Sequence, residues 1–409
     1  MTVSESAINY QKKTKFALIV SNILSEPLFT LYNFVIFILG KDLGATPFQI
    51  AAFTMLKPMA TILSFYWSSG LTKKRNSLQS NLIGAAFLGR VPFLFLPWIH
   101  DAWFLIAASV CYFLFFRAGT PAWIEILKLN LPDKVREKTF SFGYALSYIE
   151  SMFLSLAIGA LLDTNPVVWP YLFASGALLG IAGLIVFVKL PINSHFEITP
   201  TPKESLKELL IRPWKNSWNL MRSRLDFSTF QWGFMLAGFG IMLIQPALPL
   251  FLAKGLHISY MEFGIALSLC KGLGVALSSP LWARMMAKIS IFQMACLVFF
   301  FFGFFPIILT LTKLHIFLLY AAYIVYGVAQ GGGHLLWNLS GASFAGKGED
   351  SSIYSGVNVV MGALRGMVAP PLGGVLCVFM GPTLVLFLGA LFCLYGGYFL
   401  LRRRFSFAI

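Results

Sequence analysis

Residues 47–65 read PFQIAAFTMLKPMATILSF, and residues 261–279 read MEFGIALSLCKGLGVALSS. Each is an apolar, hydroxyl-dotted run with one lysine near its middle, Lys57 and Lys271, and the two lysines lie 214 positions apart. An ammonium group is costly in apolar surroundings unless it is paired or hydrogen-bonded. Two such groups at matching places raise the question of what solvent surrounds these runs and what the charges do.

The composition answers the first part. Of 409 residues, 58% are hydrophobic and 11% charged, whereas soluble domains are about 45–50% apolar and about 25% charged. That balance predicts a polytopic membrane protein whose surface faces lipid. The five cysteines (Cys111, Cys270, Cys296, Cys377 and Cys393) lie inside apolar runs without paired spacing. They read as small hydrophobes, and neither a disulfide framework, a metal site nor a cofactor is expected. The polar start MTVSESAINYQKKTK and the long apolar run after it lack the pattern of a cleavable signal peptide.

A helix needs about 20 apolar residues to cross a bilayer. One set of such runs lies near 16–40, 47–69, 80–99, 102–125, 140–162 and 166–189, and a second near 227–253, 259–283, 290–312, 315–340, 354–379 and 382–401. The expected fold is therefore an all-α membrane protein with twelve transmembrane helices in two six-helix pseudo-repeats. The expected organisation is an N-terminal half at 1–190, a polar linker at 191–225 and a C-terminal half at 226–409.

With the N-terminus inside, one side of the membrane holds twenty-three Lys and Arg, and the other keeps three, Lys41, Lys254 and Lys313. This positive-inside bias predicts both termini in the cytosol of a cell whose inner membrane the chain spans. The net charge of +15 is thus a topology signal, and nucleic acid is not an expected partner. In the linker, Thr201 and Glu204 form a T-x-x-E capping box with Pro202 at the first helical position. Leu206, Leu209 and Leu210 share a face, with Trp214 and Trp218 following, which reads as a short amphipathic helix on the cytosolic membrane surface.

The two halves align at a shift near 214. Lys57 falls on Lys271 and Trp123 (GTPAWIEIL) on Trp337 (GGHLLWNLS) at 214, while YIESM (148–152) meets ALRGM (363–367) at 215. SEP at Glu26–Pro27 pairs with IQP at Gln245–Pro246 at 219. Two parallel six-span repeats about an axis along the membrane normal are one established transporter plan. On twelve spans, a long basic central loop, two related halves and the loop motif SSGLTKKRNS, the chain resembles the major facilitator superfamily over its whole length. That loop keeps Gly70, Lys73, Lys74 and Arg75 of the family's gating loop and lacks its aspartate. The second-half loop PLWARMMAKIS keeps Arg284 and Lys288. The resemblance implies that spans 1, 4, 7 and 10 line a central cavity flanked by 2, 5, 8 and 11.

Ionisable residues within spans mark functional sites by default. Here they are five cations, Lys57, Arg90, Arg117, Lys271 and Arg365, and two acids, Glu26 and Glu150, with Glu125 nearer the cytosolic end of its run. The cation excess suggests an anionic substrate, a carboxylate or phosphate-bearing metabolite. Lys57, Arg117 and Lys271 are the candidate binding cations, joined by Asn33, Gln245, Gln330, His334 and Trp337. Arg90 and Arg365 are the candidate structural charges. Thr54, Lys57, Thr61, Ser64 and Ser68 form a helical polar stripe, and Ser268, Lys271 and Ser278 a thinner one. Glu26, next to Pro27, is the candidate proton-coupling acid, and Glu150 the second. Two accounts of Glu26 stand open, proton coupling and a permanent ion pair with Lys57 or Arg117. For the Gly331–Gly333 run, substrate contact by its neighbours competes with helix packing.

The pattern predicts a secondary transporter of a small organic anion, a proton-linked symporter that works as a monomer by alternating access. A multidrug exporter of the same fold is the alternative. There is no HExxH, nucleophile elbow or Gly-rich phosphate loop, so an enzyme is not expected.

Overall fold

The computed structural model describes residues 3–68, 78–191, 206–344 and 351–403. Its described residues form helices joined by short links, with no strand among them. In hydrocarbon a helix satisfies every backbone N–H and C=O within itself, so this all-helical answer follows from the apolar composition.

Two compact units emerge, one of residues 1–43 with 60–203 and the other of 44–59 with 204–409. The first contains α1 (Val3–Lys41), the second part of α2 (Pro47–Ser68), and α3 (Leu78–Arg90) extended by a 3₁₀ turn, Val91–Phe95. It also holds α4 (Ala102–Asn130), α5 (Asp133–Thr164), α6 (Trp169–Ala182) and the short α7 (Ile185–Val188). The helix α1 starts well before the apolar run at residue 16 and passes through Pro27 without a break. Asp101 caps α4 by accepting from the Trp103 and Phe104 amides at 2.8 and 3.1 Å. At one end of this unit Lys41 pairs with Asp163 at 3.7 Å. Asn130 donates to the Thr14 hydroxyl at 2.9 Å and the Pro191 carbonyl at 2.8 Å, tying α4 to α1.

The second unit runs from α8 (Leu206–Ser223), the helix expected in the linker, through α9 (Leu225–Leu243) and α10 (Ala247–Pro249) to α11 (Tyr260–Gly264). It continues with α12 (Lys271–Met286), α13 (Ile291–Thr310), α14 (Phe317–Phe344) and α15 (Ser351–Arg403). The Thr201–Glu204 capping box and the loop residues Gly70, Lys73, Lys74 and Arg75 lie outside the described residues. Capping boxes among the described residues stand at Ser259/Glu262 and Ser290/Gln293, starting α11 and α13. Two π-helical stretches, Leu250–Gly255 and Ile265–Cys270, interrupt the regular ladder. In α15, Gly381 at φ +77° separates the runs that the sequence places at 354–379 and 382–401. Placing 44–59 with the second unit differs from the simple division at residue 190. Its reason is local: Gly374 of α15 leaves room for the Pro47 backbone and Ala51, and Gly366 leaves room for Pro58.

Eight segments are long and apolar enough to cross a membrane among the described residues: Asn9–Lys41, Ala102–Asn130, Leu146–Thr164, Pro166–Val188, Leu225–Gly255, Tyr260–Met286, Ile291–Lys313 and Gly356–Arg403. Of the runs expected at 47–69, 80–99 and 315–340, helix covers 47–68 as α2, 80–90 as α3 with its 3₁₀ turn to 95, and 317–340 within α14.

Small residues set the closest crossings, as they do where lipid gives helices no hydrophobic drive to associate. On α12 and α14, Gly274 faces the Ile324 carbonyl and Gly327 faces the Lys271 carbonyl, backbone against backbone. A methyl group at either position has no space. We expect Gly327→Ala to cost about 1–3 kcal/mol, the usual range for overpacking. Gly272→Ala, whose added carbon would meet nothing within 4 Å, should leave stability unchanged or slightly raised. Thermal unfolding of the two detergent-solubilised variants checks the difference.

Candidate functional site

The acids come first because the fold unites them. Glu26 of α1 is buried, only 7% exposed. Thr30, one turn on, donates to its Oε1 at 3.4 Å and shares a 3.1 Å hydrogen bond with the Ser151 hydroxyl of α5. Ser147 and Ser151, also one turn apart, hydrogen-bond the same carboxylate, and Glu150 lies within electrostatic range of it. One Glu150 oxygen, Oε2, is buried without a hydrogen-bond partner. Among the described residues no cation stands within ion-pair distance of either acid. The permanent pair of Glu26 with Arg117 is therefore not formed, and the Lys57 side chain lies outside the described residues.

Cations of the same unit are handled separately. Arg90, at the end of α3, is 7% exposed. Its Nη1 donates to the Ala86 carbonyl at 2.7 Å and its Nη2 to the Ser25 hydroxyl at 2.9 Å, while Nε has no partner. Its guanidinium occupies the space that a side chain at Gly180 of α6 would fill. Arg117 of α4 is exposed, stacks 5.2 Å from the Phe113 ring and has no ion pair among the described residues. Phe113 in turn stacks on the buried Tyr32, and Asn33 is half-buried on α1.

In the second unit Arg365 repeats the Arg90 solution. It is 7% exposed, its Nη1 donates to the Phe234 carbonyl at 2.7 Å, and Nε is unpartnered. Its guanidinium lies 4.7 Å from the Phe234 ring and 5.8 Å from the Trp337 ring, in the space that Gly238 leaves. Cation–π attraction of this desolvated kind is worth about 2 kcal/mol. Trp337, a predicted substrate contact, is thus packed among Arg365, Phe234 and Gly362.

Beside it runs a polar chain that reading the sequence did not reveal. Gln231 of α9 hydrogen-bonds Asn358 of α15, which donates to the Ser340 hydroxyl at 2.8 Å and the Trp337 carbonyl at 3.2 Å. All three side chains are buried, and Gln231 Oε1 keeps no partner. Buried amides are hydrogen-bonded almost without exception, so a Gln and an Asn within apolar runs were the available signal.

Lys271 is half-buried, begins α12 and comes directly after the π-helical stretch Ile265–Cys270. Single π turns inside helices recur at functional sites, where they change the direction in which the next side chains project. No ion pair is formed by Lys271 among the described residues, and its charge acts on His334 of α14, which is exposed. Gln330 and Gln245 are half-buried. Gly331 and Gly332 pack against Ser278, Trp282 and Val298, so the glycine run serves close helix packing. No His, Cys, Asp and Glu cluster able to hold a metal occurs among the described residues.

The family model of the Major Facilitator Superfamily matches residues 18–370 and 232–406. The chain belongs to the major facilitator superfamily. It is a multi-pass membrane transporter of that superfamily. Solved structures agree in fold. The nucleoside transporter NupG superposes with TM-score 0.67 at 13% identity, covering 95% of this chain and 98% of that one. The peptide transporter POT in complex with sulfate gives 0.73 at 14%, over 96% and 94%. A POT family transporter in complex with 5-aminolevulinic acid gives 0.70 at 12%, over 97% and 96%. These neighbours are transporters, and at such identities the likeness establishes the superfamily fold. No curated protein matches the chain in sequence.

Within this superfamily member, Arg365 is a buried charge without a carboxylate partner among the described residues, and such charges are often replaceable by apolar groups of similar volume. Gly238→Ala should lower the thermal midpoint by pushing the guanidinium from its place. Adding Arg365→Met should restore most of the loss, a coupling that a double-mutant cycle of unfolding midpoints measures.

Proposed function

We propose that this chain moves a small organic anion, a carboxylate or phosphate-bearing metabolite, by proton-coupled alternating access of two six-span halves. The single observation that carries this reading is the separation of charges. Glu26 stands among hydroxyls, with Glu150 in electrostatic range of it, and among the described residues no cation lies within ion-pair distance of either acid, while Lys271 and Arg117 have no acid partner there. Had these groups neutralised one another, both roles would be taken up by structure. A carboxyl held by hydroxyls beside a second acid, with no described cation fixing it ionised, suits reversible proton binding. Cations without acid partners suit an anionic substrate, with Arg117 offering the planar fork and Lys271 the point charge.

Under this reading the halves are 1–190 and 226–409, the termini are cytosolic, and the membrane is the inner one, as the positive-inside count favours. Lys57 joins Lys271 by the proposed repeat, and Asn33, Gln245, Gln330 and His334 supply polar contacts. Gly70, Lys73, Lys74 and Arg75 would gate the cytosolic side, and the working unit is a monomer. The solved neighbours carry nucleosides and peptides by name, which at their low identity does not select a substrate here.

Uptake into proteoliposomes under an imposed pH gradient tests the reading. A screen of metabolite anions for thermal stabilisation supplies the substrate first, since a ligand at a hundredfold its Kd adds about 2.7 kcal/mol. Glu26→Gln should abolish gradient-driven accumulation while exchange of substrate between the two sides persists. Lys271→Ala should weaken substrate affinity roughly 10-fold or more, the loss of one charge-assisted contact of about 1.5–3 kcal/mol. Anion uptake indifferent to the gradient removes the coupling. Transport confined to lipophilic cations removes the anion and leaves the exporter reading.

A further inference from the structure

The helix α8 precedes the span that begins at Leu225, with Arg224 as the only residue between them. That junction is firmly held. Arg224 pairs with Asp226 at 2.9 Å, donates to the Tyr354 hydroxyl at 3.0 Å and reaches the Phe344 carbonyl at 3.2 Å. An 18-residue helix is about 27 Å long at 1.5 Å per residue, so all of α8 lies within that distance of the span's start.

One face of α8 is used internally, because Met221 and Leu220 pack into the core around Phe227, Phe230 and Phe344, and Ser217 is buried too. The other face is not. Ile211, Trp214, Lys215, Trp218 and Arg222 recur at intervals of three and four, hence on one stripe. Ile211 is 50%, Trp214 37% and Trp218 57% exposed, and Lys215 and Arg222 are exposed as well. The Arg222 guanidinium sits 4.9 Å over the Trp218 ring, aligning cation and indole along this stripe. The whole helix carries Lys207, Arg212, Lys215 and Arg222 against Glu208 alone.

We propose that this stripe is a docking surface for anionic phospholipid headgroups of the bilayer in which the chain sits. Tryptophan favours the headgroup level, with its ring in the apolar boundary and its N–H toward water. Basic side chains beside it hold phosphate, and a helix of this pattern lies in the membrane plane. Lys215 and Arg222 are the phosphate ligands and Trp214 and Trp218 the interfacial anchors. Attraction of this kind gives about a 5-fold preference for each basic residue near an anionic surface. The proposal is independent of the transported substrate.

The test reconstitutes the full chain in nanodiscs of phosphatidylcholine alone and of phosphatidylcholine mixed with phosphatidylglycerol. The thermal midpoint should rise with phosphatidylglycerol for the unaltered chain. Lys215→Gln with Arg222→Gln should lose most of that rise, whereas Arg402→Gln with Arg403→Gln should keep it. Brominated phosphatidylcholine should quench a fluorescence component that Trp214→Phe with Trp218→Phe removes. An unchanged lipid response in the α8 variant, an equal loss in the 402/403 variant, or Trp214 and Trp218 shielded from brominated lipid overturns the proposal. Shielding by another part of the chain would mark a protein contact instead.

Discussion

A charge carried into hydrocarbon must find a partner, a set of hydrogen bonds or water, and this requirement organises the interior of the molecule. Arg90 and Arg365 meet it without carboxylates among the described residues. Each donates to a backbone carbonyl, and each takes the space opposite a glycine on a neighbouring helix. Arg365 adds two aromatic faces. Guanidinium suits this use because it is weakly hydrated and stacks as well as it donates. The glycines at 180 and 238 are thus as much part of the charge arrangement as the arginines.

Close packing is governed by the same scarcity of driving forces. Lipid is as apolar as leucine, so helices gain from backbone proximity and polar contacts rather than from hiding hydrophobic area. The crossing of α12 over α14 at Gly274 and Gly327 brings the Lys271 carbonyl against Gly327, which fixes the backbone of the very residue whose side chain forms no ion pair among the described residues. A π-helical stretch comes directly before it. Backbone packing and a candidate binding cation therefore meet at Lys271.

How much of this could be read beforehand depended on the range of the interaction. The helical runs were legible because hydropathy over about 20 residues is a local property, and even the linker helix lies where its Leu and Trp pattern placed it. The superfamily followed from span count and loop charge. The union of Glu26 with Glu150 was not legible, since it needs α1 to lie against α5, and nothing in either run names the other. Nothing in the sequence distinguishes Gly180 and Gly238 from the other glycines of the apolar runs. The Gln231–Asn358–Ser340 chain spans three helices, and each member taken singly is an ordinary polar residue. π turns depend on one inserted residue relative to a neighbour, a register that no single sequence displays.

Sign, finally, differs between positions that the proposed repeat would equate. At a shift of 214 Lys57 meets Lys271, like on like, but at 215 Glu150 meets Arg365, acid on base. A position that in α5 holds an acid beside Glu26 holds in α15 a guanidinium locked on Phe234. A titratable carboxyl thus stands in one unit and a fixed charge in the other. A bare carboxylate can be neutralised by a proton, whereas a guanidinium stays charged at any accessible pH. Of these two groups only the Glu150 carboxyl can be neutralised by a proton, and under the proposed reading a substrate anion would be met by the cations without acid partners.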